Sequence, residues 1–301
     1  MIVLDEIQLP ELVKAVQDDF PRSLMIFHLA RNVIRNRYSW PGLEFVVDSF
    51  PDISVCVCRP AINGQNYIPI LNGYSVFTYS KNAEMFRKMI FQETVVDWTQ
   101  EIMFIGISEL ESKILLEYGN KACIGKFKYY GLVDGFPPGA LYYNLDHLNT
   151  FSYTLPVGFQ LGTLTEQHLE QLTSERNYGN TENTRKFFRQ LLKHNHPSVA
   201  LFNENNIPIS YVLYKTEGCI GGAYTNPEYR GQGFFKIVTF ELLKKLKEDG
   251  EVFIFGDTWI SNIPSQNAQI AVGGKKYEDY VAYWISYTPS TNNSEITYQS
   301  F

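Results

Sequence analysis

The sequence predicts an α/β protein of two domains, each built on a mixed sheet. Short apolar runs of strand length alternate with amphipathic stretches of helix length along most of the chain. The chain has 301 residues, which is about twice the ~150 residues of an average domain. A cluster of chain-breaking residues, DGFPPG at 134–139, lies near the middle, and a new alternation starts at Thr154. These observations place the boundary near residues 150–155, with domains over 1–152 and 153–301.

In the first half, apolar spacing predicts the elements. Leu9, Leu12 and Val16 recur at helical intervals, whereas the continuous apolar run Ile53–Cys58 is typical of a buried strand. The predicted order is a helix within 6–20, strands over Ile53–Cys58 and Tyr74–Tyr79, helices over Ala83–Lys88 and Glu93–Gln100, a strand over Ile102–Ile105, and a helix over Ser108–Glu117.

The second half alternates more regularly. Thr165 is a suitable N-cap for a helix reaching Leu172, and Gly250 ends a long amphipathic helix that starts at Gly233. The predicted order is a strand over Phe159–Leu161, helices over Thr165–Leu172 and Glu182–Lys193, strands over Ser198–Asn203, Ile209–Lys215 and Cys219–Tyr224, a helix over Gly233–Glu248, a strand over Val252–Phe255, a helix around Pro264–Val272, and a strand over Val281–Ser286.

Composition excludes several functional classes. The formal net charge of −6 argues against a nucleic-acid partner, and no apolar run approaches the ~18 residues of a membrane span. Five acidic residues among the first 20 argue against a secretory or transit peptide, so an intracellular protein is expected, with the cytoplasm as one location. Four cysteines do not make a disulfide framework. Cys56 and Cys58 share one strand face without a second Cys/His pair, which favours buried apolar side chains and predicts no metal site.

The segment Glu228–Gly233 carries the strongest chemical signal, because it joins a predicted strand to a long helix. Its two glycines, Gly231 and Gly233, allow a tight backbone turn. The first amides of the helix have no internal acceptor and therefore suit a phosphate or diphosphate. The bare pattern Arg-x-x-Gly occurs by chance about 0.7 times in a chain of this composition, so the strand–loop–helix context supplies the evidence. The alternative is a surface turn that only caps an amphipathic helix.

This arrangement resembles the GNAT superfamily of N-acetyltransferases, whose acyl-CoA loop reads Arg/Gln-x-x-Gly-x-Gly/Ala. Arg230 and Gly233 match that pattern. Phe235 stands where glycine or alanine is usual, and it would either crowd the diphosphate or face the core. The resemblance implies a mixed-sheet acetyltransferase fold for the second half. It also suggests that the first half is a divergent copy without a phosphate loop.

A closer resemblance is to the glycine N-acyltransferase family. FVVDSFPD at 45–52 is similar to that family's stretch ending in Trp-Pro-Asp-Phe, and NPEYR at 226–230 to its Leu-Pro-Glu-Tyr-Arg. Asp257 followed by Ser261-Asn262 resembles its Asp-Tyr-Ser-Asn, with wider spacing, and Trp284 falls near a family tryptophan. The resemblance covers most of the chain and implies transfer of an acyl group from acyl-CoA to glycine or a similar small amino acid.

The resemblance also implies a site. Acyl-CoA would be a co-substrate, with no permanently bound cofactor and a small-molecule amine as the other partner; a mitochondrial matrix location is the family expectation. The backbone amides of Tyr224 and Thr225 would face the thioester oxygen, which gives Tyr224 a catalytic role. Asn262 would bind the pantetheine arm. The expected acyl-CoA contacts are Tyr224, Thr225, Arg230, Gly231, Gln232, Gly233, Phe234, Phe235 and Asn262.

The amine must lose a proton before it attacks, and the family uses a glutamate on the strand before the loop. Cys219 occupies the corresponding position here, and Glu217 lies two residues earlier, on the same strand face if the strand extends that far. Glu217 is therefore the predicted base, with an exposed hairpin acid as the alternative. Cys219 is disfavoured as a nucleophile, because no histidine is close in sequence.

Two other functions stay open. The same fold would serve another acceptor, such as a polyamine or a protein lysine, and a CoA-binding module that has lost catalysis would also fit Phe235 and Cys219. An acidic acceptor groove would favour cationic acceptors. An Arg or Lys close to Glu217 in space would favour amino-acid carboxylates.

Overall fold

The computed structural model describes residues 1–37, 42–62, 74–122, 125–129, 138–174 and 182–290. Its first half contains β1 Ile2–Leu4, α1 Leu9–Val16, α2 Leu24–Ile34, β2 Leu43–Val47, β3 Val55–Pro60, β4 Tyr74–Ser80, α3 Ala83–Ile90, β5 Ile102–Ile107, α4 Glu109–Ala122, β6 Gly125–Tyr129 and β7 Pro138–Asn144. Its second half contains β8 Gln160–Gly162, α5 Leu169–Ser174, α6 Glu182–Lys193, β9 Ser198–Phe202, β10 Pro208–Tyr214, β11 Cys219–Thr225, α7 Phe234–Glu248, β12 Phe253–Trp259, α8 Ile263–Ala271, β13 Lys275–Val281 and β14 Tyr283–Pro289.

The strands of the described chain form two seven-stranded sheets with one topology. The first sheet has the order β1-β2-β3-β4-β5-β14-β6, and the second has the order β8-β9-β10-β11-β12-β7-β13. In each sheet the fourth and fifth strands are parallel, whereas the other neighbours are antiparallel. The predicted α/β architecture of two related copies is confirmed.

The two sheets exchange one strand. β14, from the end of the chain, lies between β5 and β6 of the first sheet, and β7, from the first half, lies between β12 and β13 of the second. The domain boundary near residues 150–155 stays a prediction, although each sheet takes a strand from the other side of it. Most of the breaker cluster at 134–139 lies outside the described residues.

Three apolar clusters hold the elements together. The largest combines residues of both sheets, such as Phe77 and Phe255, with helices α1, α2, α5 and α6. A second cluster packs α3 and α4 on the first sheet, and a third packs α7 on the second. Cys56 and Cys58 are fully buried in the first cluster, as their shared strand face predicts.

Helix α2 fastens the first half to the second. Arg35 and Arg37 place guanidinium nitrogens 2.8 and 2.6 Å from an oxygen of the buried Glu251 carboxylate, and Arg31 lies 3.4 Å from the other oxygen. Asn32 donates a hydrogen bond of 2.6 Å to the Thr216 carbonyl in the turn between β10 and β11. This network fixes the turn that precedes β11, and β11 forms one wall of the site described below.

Sequence patterns missed or misplaced some elements. The helix predicted over Glu93–Gln100 is wrong, because the residues form consecutive turns in which the Asp97 carboxylate accepts hydrogen bonds from the Thr99 amide and hydroxyl. Helix α2 was not predicted. Seven successive residues from Leu24 to Ala30 are buried, so the segment lacks the polar face that marks an amphipathic helix.

Candidate active site

A cleft opens where two parallel strands of the second sheet separate. β11 and β12 pair only at Cys219–Phe255 and Ile220–Gly256, after which β12 continues along β7. Beyond these two pairs, β11 becomes partly exposed, with the pattern of two buried residues followed by five that are not. The separation provides a wedge-shaped space between backbone segments.

A β-bulge redirects β11 at the edge of this wedge. Tyr211 pairs with Tyr224 and Leu213 pairs with Gly221, so β11 carries one more residue than β10 between the two pairs. Gly222 has a φ of +62°, which favours glycine at the bulge. A bulge changes the direction of the following backbone groups, and here these belong to Ala223, Tyr224 and Thr225.

The loop after β11 leads into α7 through two glycines with left-handed backbone. Gly231 has a φ of +78°, and Gly233, the residue before α7, has a φ of +83°. The Arg230 side chain donates a hydrogen bond of 3.0 Å to the Thr225 carbonyl and so closes the loop on its own strand. No side chain caps the start of α7, which leaves the first-turn amides available to a ligand.

The cleft at this point has a volume of about 690 Å³. Eight of the predicted acyl-CoA contacts line it: Tyr224, Thr225, Arg230, Gly231, Gly233, Phe234, Phe235 and Asn262. Gln232 is exposed in the same loop but is not part of the lining. The structure therefore brings the predicted residues to one cavity, and their contact with acyl-CoA stays a prediction.

Phe235 does not close the cleft. Its ring is half-buried and packs against the apolar cluster under α7, while also forming part of the cleft wall. A Cβ atom built on Gly231 would meet no heavy atom within 4 Å, so the space beside this glycine is open. The departure from the usual glycine or alanine at 235 is thus accommodated by packing.

Helix α8 forms the opposite wall of the cleft. Asn262 was the one predicted contact residue on this wall. The Asn262 side chain caps the helix by accepting a hydrogen bond of 3.2 Å from the Ser265 amide. Along the same helix, Pro264, Asn267, Ala268 and Ala271 face the cleft at helical spacing. Their three- and four-residue intervals were the available sequence signal. The small residues leave room for a ligand.

Glu217 lies in the turn before β11 and is buried, with 1% of its surface exposed. The alternative of an exposed hairpin acid is therefore wrong. One carboxylate oxygen lies 2.6 Å from the Lys215 ammonium, and the other accepts a hydrogen bond of 3.1 Å from the Thr216 hydroxyl. Glu217 does not line the cleft, and its role as base stays a prediction.

Asp257 lies near this ion pair and entered the sequence analysis only through the family resemblance. Both of its carboxylate oxygens are buried without a hydrogen-bond partner among the described residues. Burial raises the pKa of Asp257 to about 6; the Lys215 cation opposes this rise, and Glu217 adds to it. The sequence gives no signal for this environment. The environment forms only when the turn between β10 and β11 comes close to β12, which is distant in the chain.

Cys219 is buried in the same region. Burial raises the pKa of its thiol far above the usual range, which keeps the sulfur protonated and supports the view that it is not a nucleophile. Within the described ranges, no group of three His, Cys, Asp or Glu side chains is arranged to hold a metal ion. None of the helices in those ranges is both long and apolar enough to span a bilayer.

Solved structures share this fold. A crystal structure of a Drosophila protein superposes with a TM-score of 0.75 at 13% identity, over 96% of this chain and 98% of that one. A tandem GNAT protein from the clavulanic acid biosynthesis pathway gives 0.55 at 13% identity, again over 96% and 98% of the two chains. The chain thus has a tandem GNAT-type fold, with an open cleft in its second copy.

Sequence similarity narrows the class. Residues 1–195 match the family model described as aralkyl acyl-CoA:amino acid N-acyltransferase. The chain belongs to this family, and it is an acyltransferase with acyl-CoA as co-substrate. It is 24% identical to mouse glycine N-acyltransferase over 274 residues, covering 85% of this chain and 88% of that protein. It is 23% identical to the rat glycine N-acyltransferase-like protein Keg1 over 257 residues, covering 79% and 83%.

Proposed function

We propose that this enzyme transfers an acyl group from acyl-CoA to the amine of glycine or a similar small amino acid. The observation that carries the proposal is the open cleft lined by β11, the loop before α7 and helix α8, with the uncapped start of α7 in its wall. Family membership supports an amino acid as acceptor, and the relatives named glycine N-acyltransferase support glycine.

The loop before α7 would hold the diphosphate of CoA. Amides at the start of a helix attract anions, because they lack internal acceptors and lie at the positive end of the helix dipole. Left-handed Gly231 and Gly233 bring the backbone close without a side chain in the way. Lys236, in the first turn of α7, adds a cation to the cleft wall.

The bulge in β11 would orient the thioester. In this reaction the amine lone pair forms the new C–N bond, and the C–S bond of the tetrahedral intermediate then breaks. Amides of Tyr224 and Thr225 would stabilise the oxyanion of that intermediate. The leaving CoA thiolate needs little assistance, since a thiol has a pKa of ~8.5.

The neighbourhood of Glu217 favours an amino-acid acceptor over a polyamine. Lys215 lies 2.6 Å from Glu217, which is the arrangement expected for recognition of an acceptor carboxylate. Although burial alone favours the neutral amine, the carboxylates of Glu217 and Asp257 raise the pKa of Lys215, which therefore stays a cation. A polyamine is itself positively charged, so the Lys215 ammonium would repel it.

A thiol-release assay tests the proposal. Acetyl-CoA and benzoyl-CoA are each supplied with glycine, glycinamide and spermidine, and CoA binding is measured in parallel by calorimetry. We expect release with glycine and at least tenfold less with glycinamide, which keeps the amine but lacks the carboxylate. Release with spermidine alone would indicate a different acceptor class. CoA binding without release for any amine would indicate a module that has lost catalysis. The mitochondrial compartment stays a prediction.

A further inference from the structure

We propose that Asp257 is the general base that deprotonates the acceptor amine, in place of a carboxylate on β11. This inference rests on the proposed function. Asp257 is the first residue of β12 beyond its last pair with β11, Ile220–Gly256. It therefore lies at the point where the two strands begin to separate.

The Asp257 side chain lies on the face of the second sheet that is opposite α7, where the amine acceptor could bind. Side chains two residues apart on a strand share a face, and Phe255 packs in the apolar cluster between the two halves. Ile254, on the opposite face, packs under α7. Asp257 thus lies on the opposite side of the sheet from the predicted diphosphate loop. A ligand passing between the separated strands would present its reactive end on that side.

The Asp257 carboxylate is poised rather than structurally engaged. A buried carboxylate normally accepts several hydrogen bonds, and leaving it without a partner is destabilising. Both Asp257 oxygens are buried without a partner in the described part of the chain. Backbone pairing of Asp257 with Ala140 of β7 holds the residue in place without using its side chain. Asp257, like Glu217, does not line the cleft itself. A buried carboxylate without a partner, at the point where two strands separate, is a candidate for proton transfer.

The charged and titratable groups around Asp257 come from each neighbouring element. Lys215 follows β10, Glu217 is in the turn, Cys219 is on β11, and Tyr280 is on β13. Cys219 and Tyr280 are neutral, because burial raises the pKa of each well above its usual value. Lys215 is the cation, and its ion pair with Glu217 limits the extent to which it lowers the proton affinity of Asp257.

The other two positions are less suitable for this step. Both Glu217 oxygens already have partners, Lys215 and the Thr216 hydroxyl. Cys219, at the family's glutamate position, is a protonated thiol and accepts protons poorly. Asp257 is the neighbouring carboxylate whose oxygens have no hydrogen-bond partner among the described residues.

The proton balance is complete without another reactant. The substrate ammonium gives one proton to an Asp257 oxygen, and the neutral amine attacks the thioester carbon. The C–N bond forms. The C–S bond then breaks, and the second amine proton passes to the departing sulfur, so that CoA leaves as the thiol. Asp257 then releases its proton to solvent and returns to the carboxylate.

The test compares Asp257→Asn with Glu217→Gln and Asp257→Glu in the full chain. Asp18→Asn, at an exposed residue of the first half, controls for the loss of one negative charge. Turnover with benzoyl-CoA and glycine is measured from pH 5 to 9, and CoA affinity and thermal midpoint are measured for each variant. We expect Asp257→Asn to lose about 10²–10⁴-fold in kcat with CoA affinity within twofold. Asp257→Glu should regain at least tenfold over the asparagine variant.

The pH profile separates a base from a packing residue. The wild type should lose activity as pH falls through about 6, where Asp257 becomes protonated, and this acidic limb should vanish in Asp257→Asn. Glu217→Gln should keep the limb and lose under tenfold. Turnover of Asp257→Asn within threefold of wild type, or a limb that disappears only in Glu217→Gln, would overturn the proposal while leaving the proposed function intact. A wild type that binds CoA but acylates no amino acid would overturn both.

Discussion

The parallel strand pairs of the two sheets occupy equivalent positions but differ in what fills the space beside them. In the first sheet, every residue of β4 is buried, and residues 81–82 alone connect β4 to α3. Asn82 caps α3 by accepting a hydrogen bond of 3.0 Å from the Met85 amide. In the second sheet, β11 is largely accessible beyond Ile220, and residues 226–233 connect it to α7. Within the part of the chain that the structure describes, one topology thus gives a fully buried fourth strand in the first copy and a strand beside a cleft in the second.

The cause of this difference is visible in the strand sequences. β4 reads YSVFTYS, whereas β11 reads CIGGAYT. The large side chains of β4, such as Phe77 and Tyr79, are packed into the core between the halves. In β11 the residues 221–223 are two glycines and an alanine, which cannot fill an equivalent volume. The small residues of β11 therefore leave space for the candidate site in the second copy.

The largest effect on stability is expected from a substitution that creates a cavity in the core of the first copy. Phe104 of β5 is fully buried against Trp98, with ring centroids 5.8 Å apart. Phe104→Ala should lower the free energy of unfolding by about 3–5 kcal/mol, because the cavity cannot collapse completely. Urea denaturation measures the loss, and CoA affinity should stay within twofold. Phe91→Ala, at the half-buried ring on the other side of Trp98, should cost less. A large drop in CoA affinity for Phe104→Ala would show that the two copies are coupled.

The next change fills the open copy. Ala268 of α8 faces the cleft, so Ala268→Trp should place a ring in the space intended for the ligand. We expect CoA affinity to fall on the order of 100-fold, equivalent to about 2.7 kcal/mol, with the thermal midpoint nearly unchanged. Ile270→Trp is the matched control, because Ile270 is 41% exposed on the same helix and does not line the cleft. Equal losses in both variants would exclude the cleft as the CoA site.

A buried histidine between the two copies should make the free energy of unfolding depend on pH. His28 of α2 is fully buried, with neither ring nitrogen hydrogen-bonded among the described residues. Burial, aided by Arg31, Arg35 and Arg37, lowers the pKa of His28 to about 3. The unfolded chain takes up this proton near pH 6.5, so the contribution is complete above that pH and is lost as pH falls towards 3.

His28→Phe removes this proton uptake while keeping a ring of similar size. Between pH 7.5 and 5.5, the wild type should lose about 1.4 kcal/mol more than the variant in free energy of unfolding, measured in urea. His196, whose pKa burial lowers to about 4, contributes the same trend to both proteins and so cancels in the difference. Identical pH slopes for the two proteins would contradict a neutral, buried His28.

The smallest effect is expected at the loop glycines. Gly231→Ala introduces no clash, but a φ of +78° costs an alanine about 1–2 kcal/mol. We expect that loss in unfolding free energy and about a fivefold weaker CoA affinity, or about 1 kcal/mol. Gly250→Ala is matched, with a φ of +79° and no atom closer than 3.8 Å to the new Cβ. It should lose similar stability and keep CoA affinity; a loss of affinity there would remove the special role of the loop.

Apolar spacing and glycine positions predicted the elements whose conformation depends on residues close in sequence. Helix α6, predicted over Glu182–Lys193, has those bounds, and the predicted phosphate loop joins β11 to α7 as expected. Helix α2 was missed, because seven successive residues from Leu24 to Ala30 are buried and no alternation of polar and apolar positions marks the helix there.

The sequence by itself determined the α/β class and the glycine-containing junction between β11 and α7, which follow from side-chain periodicity and from glycine at positions that need left-handed backbone. The family resemblance added the two-copy arrangement and eight of the sixteen residues that line the cleft. Only the tertiary structure decided that β7 and β14 exchange sheets and that Lys215, Glu217 and Asp257 meet beside the cleft. Strand pairing joins residues far apart in the chain, and the pKa of a carboxylate depends on burial and charges that no local pattern encodes.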